Sequence, residues 1–134
     1  MKRFSLDTNV VADLVRNPAG VVAQRIAEVG EARVAVSIIV ACELRFGAAK
    51  SGSAKLARRV EEILAAVETL PLAPPADLAY ARARRALETK GPPIGPNDLL
   101  IAAQARALDL TVVTDNVSEF RRGPGLDVVN WLRE

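Results

Sequence analysis

Three aspartates lie at positions where an α/β fold would bring their side chains close together. Asp7 and Asp115 each follow a short apolar run, and Asp98 opens a predicted helix that leads into the second run. We therefore expect all three on the edge of a parallel sheet where its strands end. Two like charges about 5 Å apart cost about 3 kcal/mol at an effective dielectric of about 20. Such a group favours a bound cation, and oxygen ligands select Mg²⁺ or Mn²⁺.

A fourth carboxylate interrupts an apolar helix face. Glu43 lies three or four residues from Ile39 and Phe46, so it shares their face. A carboxylate in apolar surroundings needs a partner. Glu43 therefore joins the acidic group, or else the helix is rotated and Glu43 pairs with Arg45 or Lys50.

The composition excludes several other chemistries. The 134 residues include no His and one Cys, Cys42, with 18 Lys and Arg against 16 Asp and Glu. Catalysis by Ser-His-Asp or Cys-His groups, His-ligated zinc, and an internal disulfide are all excluded. A lone cysteine fits a reducing, cytoplasmic compartment. A reaction here would run on carboxylates around a hard cation that activates water.

The elements that must position these residues alternate between strand and helix. Strands are predicted at 3–6, 33–36, 110–114 and 127–129, and Leu70-Pro71-Leu72 is an edge strand or a connection. Helices are predicted after residue 9 and over 17–30, 37–50, 53–67, 76–90 and 98–108, with Asn17, Ser37, Ser53 and Asn97 as caps. This order predicts an α/β fold with a mostly parallel sheet of four or five strands between two helix layers.

One domain over residues 1–134 suits this length. The longest apolar stretch, 34–41, is too short to span a membrane, and Asp7 interrupts the N-terminus before a signal sequence could form. We expect a cytoplasmic protein without a membrane partner. Basic residues gather in the middle of the chain, at Arg58, Arg59, Arg82, Arg84, Arg85 and Lys90. They permit a nucleic-acid partner, although charge on a helix face often serves only solvation.

Each acidic motif also has a purely structural explanation. Asp7-Thr8-Asn9 could be an ordinary capping turn, Asp98 could complement a helix dipole, and Thr114-Asp115-Asn116 could form a turn. Their shared location at one sheet edge favours a metal site.

The motifs in this order resemble the PIN-domain ribonucleases of the VapC toxin family. The resemblance extends from Lys2 to Trp131 and rests on Asp7-Thr8-Asn9, on Glu43 in its apolar helix, on Ile94-Gly95-Pro96-Asn97-Asp98, on residues 112–120, and on Pro124-Gly125-Leu126. It implies a PIN-domain-like fold and a Mg²⁺-dependent endoribonuclease, with Mn²⁺ as a substitute, that acts as the toxin of a type II toxin–antitoxin pair. The implied partners are an RNA substrate such as tRNA and a VapB-type antitoxin.

The same resemblance implies a homodimer that joins a larger complex with the antitoxin, and contact with DNA only through the antitoxin. By position, Asp7 and Asp98 would be the metal ligands and Glu43 would complete the catalytic site. Thr8, Asn9 and Thr114 would orient these carboxylates through hydrogen bonds.

One position departs from the family pattern. The fourth acidic residue of the family commonly lies two residues after the threonine, where this chain has Asn116, while Asp115 lies one residue after it. We therefore name both Asp115 and Asn116 as candidates. Asn116 could bind a metal-bound water or a phosphate, but it adds no negative charge.

Other functions remain open at this point. A receiver-like domain would carry an adjacent acidic pair after an early strand, and a haloacid-dehalogenase-type phosphatase would need an aspartate where this chain has Asn9. The remaining alternatives are a PIN-type nuclease that is not a toxin, and a non-catalytic interaction domain whose acidic rim binds a metal or a basic peptide.

Overall fold

Five parallel strands form the centre of the molecule in the computed structural model, which describes residues 2–133. The strands are β1 (Phe4–Leu6), β2 (Val34–Ser37), β3 (Glu68–Leu70), β4 (Thr111–Val113) and β5 (Asp127–Val129). Their order across the sheet is β3-β2-β1-β4-β5, and every neighbouring pair is parallel. The predicted α/β fold, with a mostly parallel sheet of four or five strands, is confirmed.

The helices occupy the connections between these strands. They are α1 (Thr8–Arg16), α2 (Val21–Val29), α3 (Ile38–Ser51), α4 (Ala54–Ala66), α5 (Ala76–Leu87), α6 (Pro96–Leu108) and the short α7 (Val117–Phe120), with a 3-10 turn at Glu31–Arg33. Together with the sheet they make three layers, α/β/α. None of the helices in residues 2–133 is long and apolar enough to cross a membrane.

The register brings the ends of β1 and β4 level with each other. Leu6 pairs with Val113, and the Asp7 amide donates to the Val113 carbonyl at 2.8 Å. The chain moves from β1 to β2 on one side, whereas β4 lies on the other side. The order of strands therefore reverses between β1 and β4, and such a reversal is where α/β sheets bind ligands.

Small aliphatic side chains fill the interior. Val34, Ala35 and Val36 of β2 are all buried, as are Val112 and Val113 of β4, which is typical of strands covered on both faces. A second, smaller apolar cluster, made by Leu87, Ile94 and Leu99, lies apart from this core at the junction of α5 and α6.

Two of the four predicted caps are confirmed. The Ser37 hydroxyl accepts from the Ile39 amide at 3.1 Å, and the Ser53 hydroxyl accepts from the Leu56 amide at 3.1 Å. These bonds satisfy amides that the first turn of a helix leaves free.

The other two predicted caps are wrong. Asn17 ends α1 by donating its amide to the Asp13 carbonyl at 2.7 Å, and α2 begins only after Gly20. Asn97 lies inside the first turn of α6, because Pro96 already occupies the first helical position, where its missing N–H costs nothing. The ambiguous segment at 70–72 is resolved as the end of edge strand β3, which stops at Leu70, before Pro71.

Candidate active site

Asp7 lies directly after β1 and is 5% exposed. Its Oδ2 accepts from the Thr114 hydroxyl at 2.8 Å, and its Oδ1 accepts from the Thr8 amide at 2.9 Å. Burial raises the pKa of Asp7, and the charges of Glu43 and Glu119 raise it further, against the lowering effect of these two hydrogen bonds. The two hydrogen bonds hold the side chain in one orientation, and its ionised form is less favourable than that of an aspartate in water.

Asp98 lies in the first turn of α6 and faces the same site. Burial raises its pKa to about 7, helped by a hydrogen bond with Glu119 and by the charges of Asp7, Glu119 and Glu43. A methyl group placed on Gly95 would lie 3.7 Å from Asp98 Oδ2 and 3.9 Å from Glu119 Oε1. These two carboxyl groups therefore meet above Gly95.

Glu43 points from α3 toward Asp7. Its Oε1 accepts from the Thr8 hydroxyl at 2.8 Å, and Thr8 also binds Asp7 through its amide. Arg45 pairs instead with Glu61, at 2.8 Å. Pairing of Glu43 with Arg45, which the sequence left open, does not occur, and Glu43 belongs to the acidic group.

Glu119 is the carboxylate that the sequence analysis did not select. It lies on α7, where its Oε1 accepts from the Gly95 amide at 2.9 Å and its Oε2 accepts from the Asn116 side-chain amide. Burial opposes ionisation, but the hydrogen bonds from Gly95, Asp98 and Asn116 prevail and lower the pKa of Glu119. The four acidic residues Asp7, Glu43, Asp98 and Glu119 are called the acidic cluster below.

The structure does not bring Asp115 into the acidic cluster. Its Oδ1 accepts from the Asn130 side chain at 3.0 Å and lies 3.3 Å from Arg133 Nε. Its charge is not among those that raise the pKa of Asp7 or Asp98. Asp115 therefore contacts the C-terminal segment, and the structure places it outside the acidic cluster, which contains Glu119 instead.

The other polar residues predicted for the site differ in whether they contact the acidic cluster. Thr8 and Thr114 contact cluster carboxylates directly, and the Asn116 amide donates to the Thr114 hydroxyl at 2.9 Å. Asn116 therefore orients Thr114 and Glu119. Asn9 is exposed at the start of α1, where it contributes no side-chain hydrogen bond to the cluster within residues 2–133.

The chemistry of the acidic cluster fits a hard cation. All its donors are oxygens, and within residues 2–133 no Lys or Arg forms an ion pair with Asp7, Glu43 or Asp98. In the same part of the chain, no three ligand side chains lie close enough to enclose a metal ion by themselves. That arrangement suits Mg²⁺, which usually takes one or two carboxylates and keeps several waters.

Comparisons with known proteins agree with this geometry. Residues 5–125 match the family model of the PIN domain. The tRNA(fMet)-specific endonuclease VapC of Salmonella typhimurium is 33% identical over 132 residues, covering 98% of this chain and 99% of the relative. Ribonuclease VapC2 of Rickettsia felis is 38% identical over 99 residues, covering 73% of this chain and 74% of the relative. The crystal structure of VapBC2 from Rickettsia felis bound to a promoter DNA fragment contains a chain that matches with a TM-score of 0.88 and 30% identity, over 96% of this chain and 98% of that one.

Proposed function

The chain belongs to the PIN-domain family and, within it, to the VapC ribonucleases, and we propose that it is a Mg²⁺-dependent endoribonuclease acting as the toxin of a type II toxin–antitoxin pair. The observation that carries this proposal is the acidic cluster itself. Its carboxylates are held by hydrogen bonds at the point where the strand order reverses, yet among the residues that the structure describes no Lys or Arg forms an ion pair with Asp7, Glu43 or Asp98.

Asp7 and Asp98 are the residues that would hold Mg²⁺, with Mn²⁺ as a substitute. When bound, the ion would lower the pKa of a water ligand and stabilise negative charge on phosphate oxygens. A phosphodiester cleaved by such a water would leave 5′-phosphate and 3′-hydroxyl ends.

The neighbouring residues preorganise these two ligands. Thr114 and the Thr8 amide fix both oxygens of Asp7, so that carboxylate does not need to reorient when a cation arrives. The Thr8 hydroxyl sets the position of Glu43. With a pKa of about 7, Asp98 is partly protonated near neutral pH and hydrogen-bonded to the ionised Glu119, and a cation would displace the proton from Asp98.

Two relatives suggest the substrate and the partner. The Salmonella relative is named for initiator tRNA, so we propose tRNA as the first substrate to test. The matching Rickettsia structure is a complex named for both VapB and VapC and bound to promoter DNA. We extend this to the present chain as a cytoplasmic homodimer that a VapB-type antitoxin silences and that contacts DNA only through that antitoxin. An antitoxin arginine inserted among the cluster carboxylates would supply the missing positive charge.

Cleavage of tRNA in vitro tests the nuclease activity. Wild type should cut an initiator tRNA transcript or total tRNA in Mg²⁺ and stop in excess EDTA. The Asp98→Asn variant should be inactive while remaining folded. Asp77→Asn is the matched control, because Asp77 occupies the first turn of α5 but lies outside the cluster. Equal cleavage in EDTA, or full activity of Asp98→Asn, would disprove the metal mechanism.

Growth experiments test the toxin role separately. Induction of wild type should arrest growth, whereas induction of Asp98→Asn should not. Coexpression of the VapB-type antitoxin proposed above should restore growth. Harmless expression of an active nuclease would reject the toxin role and leave a PIN-type nuclease of another kind.

A further inference from the structure

A cavity of about 410 Å³ lies beside the acidic cluster, between α5, the beginning of α6 and the loop that joins them. Its lining includes the buried Leu87, Ile94 and Leu99, which form the smaller apolar cluster, and the half-buried Tyr80. Its volume falls within the roughly 300–1,000 Å³ of small-molecule sites. We call it the Tyr80 pocket.

The edge of the Tyr80 pocket carries an aromatic ring and a guanidinium group held together. Arg84 lies over the Tyr80 ring at 5.9 Å from its centre, and its Nη1 donates to the Tyr80 hydroxyl at 2.9 Å. Tyr80 is the single tyrosine of the chain. Aromatic faces and arginine planes are the surfaces on which proteins stack unpaired nucleobases.

The pocket and the acidic cluster share one segment of chain. Ile94 and Pro96 line the pocket and flank Gly95, whose amide binds Glu119. Leu99 also lines the pocket and follows Asp98 directly. The start of α6 therefore borders both the acidic cluster and the Tyr80 pocket.

A cation lies between the two sites. Arg122 Nη2 donates to the Lys90 carbonyl at 2.8 Å and would lie 3.8 Å from a methyl group on Gly91, which lines the pocket. On its other side, Arg122 is close enough to Glu119 to stabilise that carboxylate. This position suits a phosphate that links a nucleotide at the cluster to one in the pocket.

We propose that the Tyr80 pocket binds one unpaired nucleobase of the RNA substrate, stacked on Tyr80 and Arg84, while Arg122 contacts the adjoining phosphate. This inference rests on the proposed ribonuclease function, because it assumes an RNA strand at the acidic cluster. It adds a base-binding site that determines which nucleotide lies near the cleaved bond. The apolar lining residues Leu87, Ile94 and Leu99 account for base binding, and Arg122 accounts for the phosphate contact.

Binding without cleavage tests the proposal. Anisotropy of a fluorescein-labelled single-stranded adenosine oligoribonucleotide is measured in EDTA, beside an oligomer of equal length with ribose spacers instead of bases. Tyr80→Ala should weaken binding of the adenosine oligomer about ten-fold, within the range of one base–aromatic stack, and leave the spacer oligomer unchanged. Tyr80→Phe should bind within twofold of wild type. Leu78→Ala is the matched control, since Leu78 is exposed on α5 outside the pocket.

Arg122→Ala distinguishes phosphate contact from base contact. It should weaken binding of both oligomers and reduce the slope of log affinity against log salt by about 1. Unchanged binding by Tyr80→Ala would disprove the base site. So would equal losses for both oligomers accompanied by a shift from dimer to monomer in sedimentation, because the pocket would then be a contact between two copies.

The design separates this inference from the proposed function. If wild type never cleaves tRNA in Mg²⁺ but Tyr80→Ala still loses base-dependent binding, the nuclease assignment fails and the base site stands. If wild type cleaves and Tyr80→Ala binds normally, the base site fails and the nuclease assignment stands.

Discussion

The Thr114 hydroxyl donates to Asp7 Oδ2 at 2.8 Å and thereby connects the ends of β4 and β1. Both residues are buried, so no water can replace this bond without a rearrangement. The ionised form of Asp7 depends on this hydrogen bond, because burial raises the pKa of Asp7 whereas the bond from Thr114 lowers that pKa.

Replacing Thr114 by valine should raise the pKa of Asp7 further and leave its Oδ2 without a donor, while the Thr8 amide still binds Oδ1. We expect a loss of about 1–3 kcal/mol in the free energy of unfolding, measured by urea denaturation at pH 7. Cleavage should also fall, and part of it should return as the pH rises. Thr114→Ser keeps the hydroxyl and should behave like wild type in the pH profile. An unchanged profile for Thr114→Val would show that the bond does not control Asp7.

Asp98→Asn should stabilise the metal-free protein more at pH 8 than at pH 5. The pKa of Asp98 is raised from 3.8 to about 7 in the folded state. Between these values the folded state holds a proton that the unfolded state has lost, so wild-type stability falls as the pH rises to about 7 and then stays constant. The variant has no such loss, and after discount for solvent screening the gain at pH 8 is about 1–2 kcal/mol.

Thermal or urea unfolding of both proteins in EDTA at the two pH values measures this difference. Asp77→Asn serves as the control and should differ from wild type by the same amount at both. A stability gain for Asp98→Asn that is equal at pH 5 and pH 8 would contradict the raised pKa.

Glu119→Gln should reduce RNA cleavage roughly ten- to hundred-fold, the usual effect of disturbing a group that orients metal ligands. Glu119 forms hydrogen bonds with Asp98 and with the Gly95 amide, whereas Asp115 contacts Asn130 and Arg133. Asp115→Asn should therefore keep cleavage within twofold of wild type. Steady-state cleavage of the same tRNA by the two variants decides between these carboxylates, and the reverse order of activities would restore Asp115 to the site.

The difference between Asp115 and Glu119 shows what sequence reasoning could reach. Asp7 and Asp98 could be placed together because strand ends and helix starts of a parallel sheet meet at one edge. Glu43 could be found because it interrupts an apolar face. Glu119 could not, because α7 has only four residues, too few for periodicity, and its position depends on the amide of Gly95, 24 residues earlier in the chain.

The starts of α2 and α6 were predicted wrongly because side-chain type alone does not determine where a helix begins. Asn17 and Asn97 both have the side chain of a good cap, but the neighbouring backbone places each helix start elsewhere. The amide of Asn17 completes α1, and Pro96 begins α6 one residue ahead of Asn97. Ser37 and Ser53 were predictable because each directly precedes its helix and has no proline beside it.

Mg²⁺ should stabilise the wild-type protein more at pH 8 than at pH 6. With a pKa of about 7, Asp98 is largely protonated at pH 6, so a cation must displace its proton, whereas at pH 8 the carboxylate is already ionised. Ligand binding raises stability by RT ln(1 + [L]/Kd), so a tenfold weaker Kd lowers the gain by up to about 1.4 kcal/mol when the ion is in excess.

The measurement is the rise in Tm on adding MgCl₂ at each pH, with NaCl of equal ionic strength as the reference. Asp98→Asn should show little rise at either pH, and Asp77→Asn should follow wild type. A larger Mg²⁺ effect at pH 6 than at pH 8 would rule out Asp98 as a ligand that must lose its proton.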